Sequence, residues 1–495
     1  MHRHEKVRVR AAGKPRHRLR GRAAIAAAAG CCLAWSLPAS AANWFETQGV
    51  SPPAFGKFHL GGWVEPDYTY KQADTARNGK VPRSNLVGPR FADSHAASIQ
   101  RAQLIARGRL NPNIDYYVGA EFGENGYTYG PGGYSPKLID GHVLFSNYIP
   151  GVRVEAGILR APGPEDAMSG YPGYSFIALF PTVIGQLMEP SFYARSQHYA
   201  PAAAGGYLIP STSMSSNNGF RYPGVEATDW FRVRPHLELA YGLMLGEYGK
   251  QFEADTANGP IVAGRLQASW LLGGGKGAFR NDLTGFVWYQ QARPDLNGVA
   301  NTMRRYGLGA TLRRGFMVPG GRSLKFEYMR GSGDIVAPSP FLQAPGVLPA
   351  QYETTVYPGS NNTAHGYYLS AGVFVTRNIE LDARYDYYDR LPNLPAQERT
   401  FANLGAGVQY HFSPLTRVVV DYFSRRVDIP NPGAIGPANS PARLLAQSTA
   451  AAAWSTAISD GSIPMAQNIV GSDRIAPPIS VSRLKGRNAV PPSES

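Results

Sequence analysis

The stretch Ile379-Glu380-Leu381-Asp382-Ala383-Arg384-Tyr385-Asp386-Tyr387 alternates without a break. Ile379, Leu381, Ala383, Tyr385 and Tyr387 form one set; Glu380, Asp382, Arg384 and Asp386 form the other. Successive side chains of an extended chain point to opposite faces, so one face is apolar and the other ionisable. The pattern recurs in Ala402, Leu404, Ala406, Val408, Tyr410 and Phe412, interleaved with Asn403, Gly405, Gly407, Gln409 and His411. It recurs again where Val418, Val420 and Tyr422 oppose Asp421, Phe423 and Arg425. The polar face carries ionisable groups and glycines, and the apolar face ends in tyrosine and phenylalanine. That dyad repeat predicts a lipid-facing barrel wall with a wet lumen and aromatic girdles.

The rest of the composition agrees. No apolar run among the 495 residues is long enough to cross a membrane as a helix, and the mean hydropathy is -0.26. A β-barrel remains open, because only half of its strand residues need be apolar. Residues 1–41 read as an export signal: nine Lys and Arg, an apolar run from Ala23 to Leu37, then Ala39-Ser40-Ala41 as a cleavage site. A basic nucleic-acid arm would not continue into such a run, so no nucleic-acid partner is expected. Those nine cations and Glu5 account for most of the net charge of +14, leaving the mature chain near +6. So small an excess does not by itself name an anionic ligand. Cys31 and Cys32 both lie in the signal, so the mature chain has no disulfide and no thiolate metal site.

Strand candidates recur along the chain, about sixteen of them, from 56–70 to 416–427 with a last one at 473–485. Their connections alternate in length. Short ones fall at 111–113, 148–151, 233–235, 273–280, 317–320, 377 and 413–415; longer ones fall at 71–96, 124–136, 161–219, 248–261, 293–301, 332–363, 390–399 and 428–472. An up-and-down barrel with both chain ends on one side of the membrane sorts its loops in this way, whereas a soluble sandwich does not. The expected fold is all-β: a transmembrane antiparallel up-and-down barrel. Its expected limits are 1–41 for the signal, 42–486 for the barrel and 487–495 for a tail.

The loop 161–219 stands apart because its first part is apolar and aromatic: Tyr171, Tyr174, Phe176, Phe180, Leu187, Phe192. Such a segment avoids water, and inward folding to narrow the lumen is expected. Its candidate constriction residues are Tyr171, Tyr174, Phe176, Phe180 and Glu189. Gln100-Arg101-Ala102-Gln103-Leu104, Gly119-Ala120-Glu121-Phe122, Val154-Glu155-Ala156-Gly157 and Met188-Glu189-Pro190-Ser191-Phe192 together resemble the phosphate-selective porin O and P family over roughly residues 56–200. The resemblance implies a homotrimeric outer-membrane barrel of this strand number. It also implies an inward constriction loop and lumen arginines and lysines that pass anions, with Arg101 at the family's basic position. The chain departs from the family in that 161–195 holds Arg195 and no lysine, with Glu165, Asp166 and Glu189 instead.

Taking the polar faces as lumen gives a pore-lining, anion-binding set of Arg101, Arg107, Arg109, Arg153, Arg265, Arg305, Arg313, Lys325 and Arg384. Glu121, Asp140, Glu155, Glu238, Glu327, Glu380, Asp382, Asp386 and Asp421 nearly balance it, so cross-strand pairing accounts for most of these charges. Arg101, Arg107 and Arg109 stand out because they share one face of one strand. The alternative is that Glu121 and Glu155 neutralise that strip. Gly273-Gly274-Gly275-Lys276-Gly277 lacks the spacing of a phosphate-binding loop, and neither Gly-x-Ser-x-Gly nor His-Glu-x-x-His occurs. No enzymatic activity and no cofactor or metal are expected. The expected function is that of a porin in a Gram-negative outer membrane, admitting small hydrophilic solutes, phosphate-like anions among them. The rivals are a nonselective general diffusion porin and a non-conducting adhesin or structural barrel.

Overall fold

In the computed structural model the described residues are 58–71, 94–437 and 465–470. Within the central span, 125–127, 131–132, 170–179, 189, 193–198, 211–213, 217–219, 249–258, 276–278, 297–298, 339–352 and 415 lie outside them. Sixteen antiparallel strands close a barrel, each paired with its sequence neighbour and the last with the first. They are β1 Phe58–Lys71, β2 Ser94–Asn111, β3 Ile114–Glu121, β4 Lys137–Ile149, β5 Val152–Arg160, β6 Arg221–Arg234, β7 Leu237–Glu247 and β8 Pro260–Leu271. The second half comprises β9 Asp282–Ala292, β10 Met303–Arg314, β11 Arg322–Ser332, β12 Thr363–Phe374, β13 Ile379–Arg390, β14 Arg399–Ser413, β15 Thr416–Asp428 and β16 Met465–Val470.

The alternation of the sequence is the alternation of the wall. On β13 and β14, Leu381, Tyr385, Leu404 and Val408 are exposed on the outside, while Glu380, Asp382, Asp386 and Gln409 are buried within. The same outward apolar set runs on through Leu243, Leu245, Leu266, Val287, Leu308 and Leu324. Water would not tolerate this belt, and a bilayer requires it, so the barrel is a transmembrane one. Among the described residues the seam is closed over Gly61–Val64 and Thr416–Val418, where β16 satisfies the ladder groups that an open edge would leave in hydrocarbon.

The connections keep their parity. Short ones join β2–β3 (112–113), β4–β5 (150–151), β6–β7 (235–236), β8–β9, β10–β11, β12–β13 and β14–β15 at one end. At that end Gly275 has φ +71, and a Cβ there would lie 1.9 Å from the Phe279 carbonyl oxygen, so only glycine fits the β8–β9 turn. The expected closing strand, 473–485, lies outside the described residues, as do the expected signal 1–41 and tail 487–495. Closure is made earlier, by β16, whose Gln467 is registered with both Thr416 and Val64. The physical reason is that Met465–Val470 contains no proline, whereas Pro477-Pro478 would remove two ladder donors.

The long loop after β5 divides in two. Its first part enters the barrel as two short helices, α1 Glu165–Met168 and α2 Thr182–Leu187. Its second part stays with the other long loops. Tyr207–Pro210 pairs with Ala200–Pro201 and with Glu353–Tyr357, which also pairs with Ile335–Pro338, in a small four-stranded sheet.

Candidate functional site

The inward loop is held by charge at one limb and by packing at the other. Pro162-Gly163-Pro164 brings the chain off β5 into α1. Gly163 allows close approach: a Cβ there would sit 2.6 Å from Gln290 Nε2 and push that amide aside. Gln290 Nε2 donates to the Pro162 carbonyl at 2.9 Å. Arg265 of β8 then donates through Nη1 to the Gly163 carbonyl at 2.7 Å and through Nη2 to Glu165 Oε2 at 2.6 Å. Arg313 of β10 donates to Glu165 Oε1 at 2.8 Å, and Lys325 of β11 is bonded to the Asp166 carboxylate. The Glu165 amide donates to Glu327 Oε2 at 3.0 Å, and Glu327 in turn accepts from Trp288 Nε1 at 2.6 Å and the Tyr368 hydroxyl at 2.8 Å. Burial on its own would raise the Glu165 carboxyl. The adjacent guanidiniums of Arg265 and Arg313, with Lys325, outweigh it and hold the group below the ordinary carboxylate range.

The second limb rests on apolar contact. Val183, Ile184 and Leu187 of α2 are buried against Met329, Tyr368, Tyr388, Ile335 and Phe401. Two wall glycines make room: a Cβ on Gly331 would lie 2.7 Å from Leu187 Cδ1, and one on Gly366 2.9 Å from Val183 Cγ2. The helix ends are tied as well. The Thr182 amide donates to Asp386 Oδ1 at 3.1 Å, and Asn403 Nδ2 donates to the same oxygen at 2.8 Å and to the Thr182 hydroxyl. Arg305 donates through Nε to the Leu187 carbonyl at 3.0 Å, and its other nitrogens take the carbonyls of Arg304, Ser332, Gly333 and Asp334. Three wall contacts lie near mid-strand, Arg265 sixth of twelve residues, Glu327 sixth of eleven and Asp386 eighth of twelve, while Arg305, third of twelve, and Arg313, eleventh of twelve, reach the loop from either end of β10. The two limbs therefore contact the wall over much of its height, with Glu165 and Thr182 tied to residues near mid-strand.

The expected pore-lining residues fall into two groups. Arg265, Arg305, Arg313 and Lys325 are loop anchors. Arg265 and Arg305 are buried beneath the loop, where they bond to it. The reason is that the loop brings its own carboxylates and carbonyls to them. The other group stays on the wall. Arg101 Nη1 lies 2.9 Å from Glu65 Oε2, and Arg109 Nε lies 2.7 Å from Asp115 Oδ1, with Arg107 half-buried between them. Arg153 Nε is 3.4 Å from Asp229 and its guanidinium sits 3.8 Å over the Trp230 ring. Arg384 Nε is 3.6 Å from Asp386, with its guanidinium 4.7 Å over the Phe423 ring.

The carboxylates expected to neutralise the β2 strip have other duties. Glu121 accepts from the Ala102 and Gly123 amides and from Gln103 Nε2, while Glu155 lies 3.9 Å from His142. Of the expected constriction residues, Tyr171, Tyr174, Phe176 and Glu189 lie outside the described residues. Phe180 packs edge-on against Phe220, centroids 5.3 Å apart. Glu165, Asp166 and Asn403 were not singled out as site residues by their sequence. The one local signal was an acidic pair set directly after Pro162-Gly163-Pro164 in an otherwise apolar loop.

No protein-family model matches the chain, and no curated protein does. Solved structures do resemble it. An anion-selective porin from Comamonas acidovorans is 13% identical, with 84% of this chain and 99% of that one aligned at a TM-score of 0.47. OmpF of Salmonella typhi, in complex with daunomycin, is 10% identical, with 83% and 97% aligned at 0.46. The outer-membrane channel DcaP of Acinetobacter baumannii is 12% identical, with 85% and 100% aligned at 0.41.

Proposed function

We propose that the chain is an outer-membrane porin of a Gram-negative bacterium, through which small hydrophilic solutes diffuse passively, with a preference for anions such as phosphate. The observation that carries this reading is the loop held across the barrel interior by Glu165, Asp166 and α2. A diffusion channel uses such a loop to set its cross-section and its field, and the conductance step separates it from a barrel that its loop plugs.

The anion preference rests on β2. Arg101, Arg107 and Arg109 share the inward parity and run along about 27 Å of strand at ~3.4 Å per residue. The pairing of Arg101 with Glu65 and of Arg109 with Asp115 favours the second reading, a nonselective diffusion porin, because it spends positive charge locally. The functional unit is proposed to be a homotrimer, which the mass of the native protein in mild detergent tests directly.

Reversal potential in a salt gradient across a planar bilayer separates the possibilities. An anion-selective wild type that shifts toward cations in Arg101→Glu and further in Arg101→Glu/Arg107→Glu supports the proposal. A cation-selective wild type refutes the anion preference and leaves general diffusion. The absence of any conductance step from correctly folded protein refutes the porin reading and leaves the adhesin.

A further inference from the structure

The outer surface of β10 and β11 carries four arginines that the pore does not use. At the long-loop end, Arg304 and Arg330 face outward and are exposed. Arg304 is registered with Ser332, two residues beyond Arg330, so the two side chains are diagonal neighbours about 7–8 Å apart. At the short-turn end, Arg314 and Arg322 are also exposed and are registered directly opposite one another. Like charges opposed across a strand pair repel unless an anion lies between them. Among the described residues none of the four has a carboxylate partner; Arg304 Nε makes a long contact of 3.5 Å to Gln291 Oε1. On the neighbouring strands Asp389 shares the outward parity, but it is buried and sits 4.0 Å from His365, which stands between it and Arg330 in the register.

Between the two rims the same two strands show lipid an apolar strip: Tyr306 and Leu308 on β10 and Leu324 and Phe326 on β11 are exposed, with Leu312 and Tyr328 half-buried beside them. Ten residues separate Arg304 from Arg314, which at ~3.4 Å per residue and a tilt of about 40° spans roughly 26 Å along the membrane normal. On β11 eight residues separate Arg322 from Arg330, roughly 21 Å by the same conversion, so the two strands bracket the ~25 Å apolar band of such barrels. Each arginine pair therefore sits at the depth of one headgroup layer.

We propose that this strip is a lipid-holding site, each arginine pair clasping the phosphate of an anionic lipid in its own leaflet. The inference rests on the transmembrane reading but not on conduction, so a barrel that conducts nothing can still carry it. Bound headgroups would fix the tilt and depth of β10 and β11, the strands whose inner faces supply Arg313 and Lys325 to the loop.

The test uses full-length protein folded into nanodiscs of phosphatidylcholine containing phosphatidylglycerol. The protein is extracted into mild detergent, and retained lipids are counted by native mass spectrometry. The wild type should keep up to two phosphatidylglycerol molecules in preference to phosphatidylcholine. Arg304→Gln/Arg330→Gln should lose one, Arg314→Gln/Arg322→Gln the other, each with about 30-fold weaker retention at ~1 kcal/mol per arginine. Arg304→Lys/Arg330→Lys should restore most of it. Heat-modifiable electrophoretic mobility verifies that each variant is folded. Equal retention of the two lipids, or phosphatidylglycerol retention unchanged in the folded Gln variants, overturns the proposal; loss confined to one rim overturns its two-ended form.

Discussion

Removing the charges of the α1 limb while leaving α2 in place should open the pore. The perturbation is Glu165→Gln/Asp166→Asn. Glu165 is fully buried and bonded to both Arg265 and Arg313, and Asp166 holds Lys325. Neutralising one side of a buried pair costs about 3–5 kcal/mol, because the partner charge is left uncompensated. The limb can relieve that cost by leaving the wall, since water then reaches Arg265, Arg313 and Lys325. The α2 limb resists separately: burial of Val183, Ile184 and Leu187 contributes roughly 5–9 kcal/mol at 1.5–3 per side chain. The expected outcome is a widened eyelet on an intact barrel, seen as a higher single-channel conductance in a planar bilayer. Three cations would also be uncovered, each worth on the order of 1 kcal/mol, so the anion-to-cation permeability ratio should rise at least about fivefold. A folded variant with unchanged conductance and unchanged reversal potential would show that these carboxylates do not hold the loop, and the account of the pore would fail with it.

Other consequences can be measured separately. Because the Glu165 carboxyl is held below its ordinary range, the docking it provides is complete above the unfolded value near 4.5 and is lost only as pH falls through the lower folded value. The Glu165 tie should therefore add no step to conductance between pH 5 and 8, and a step in that window that Glu165→Gln abolishes would contradict the assignment. Asp334 behaves oppositely: burial pushes its carboxyl up to about 7, so the wild type loses stability as pH rises from about 4 towards 7. Asp334→Asn keeps a residue tolerant of φ +47 and should raise the thermal midpoint more at pH 8 than at pH 4.5; an equal gain at both would refute the burial argument. Leu404→Arg, at a site 58% exposed on the lipid face, should cost ~2–4 kcal/mol and depress assembly in bilayers, whereas Leu404→Val should assemble normally. Gly275→Ala should slow or abolish folding through the β8–β9 turn, a loss read as unshifted electrophoretic mobility.

The alternation at Ile379–Tyr387 was enough to assign a barrel wall and its facing, and the recurrence of that alternation along the chain gave the approximate strand number. In a closed wall between lipid and a polar interior, each side chain's environment depends on its parity, and parity is written locally. The sorting of loops by length was legible for the same reason: short turns need few residues, and an even number of strands puts the start of β1 and the end of β16 on the short-turn side. The closing strand was less legible. Met465–Val470 is six residues long, and its pairing with Thr416–Val418 and Gly61–Val64 depends on the two edges the other strands leave open.

What only the tertiary structure decided is which charges remain with the pore. Arg265, Arg305, Arg313 and Lys325 share the inward parity of Arg101, and no local pattern separates them. The separation comes from a loop about a hundred residues or more distant in sequence from most of these anchors, whose Glu165 and Asp166 must travel to the opposite strands before they meet a partner. Asn403 shows the same limit: it sits at an ordinary lumen position by parity, yet it ties the start of α2 to Asp386. Parity reports the face a side chain occupies, and only the folded loop determines what it meets there.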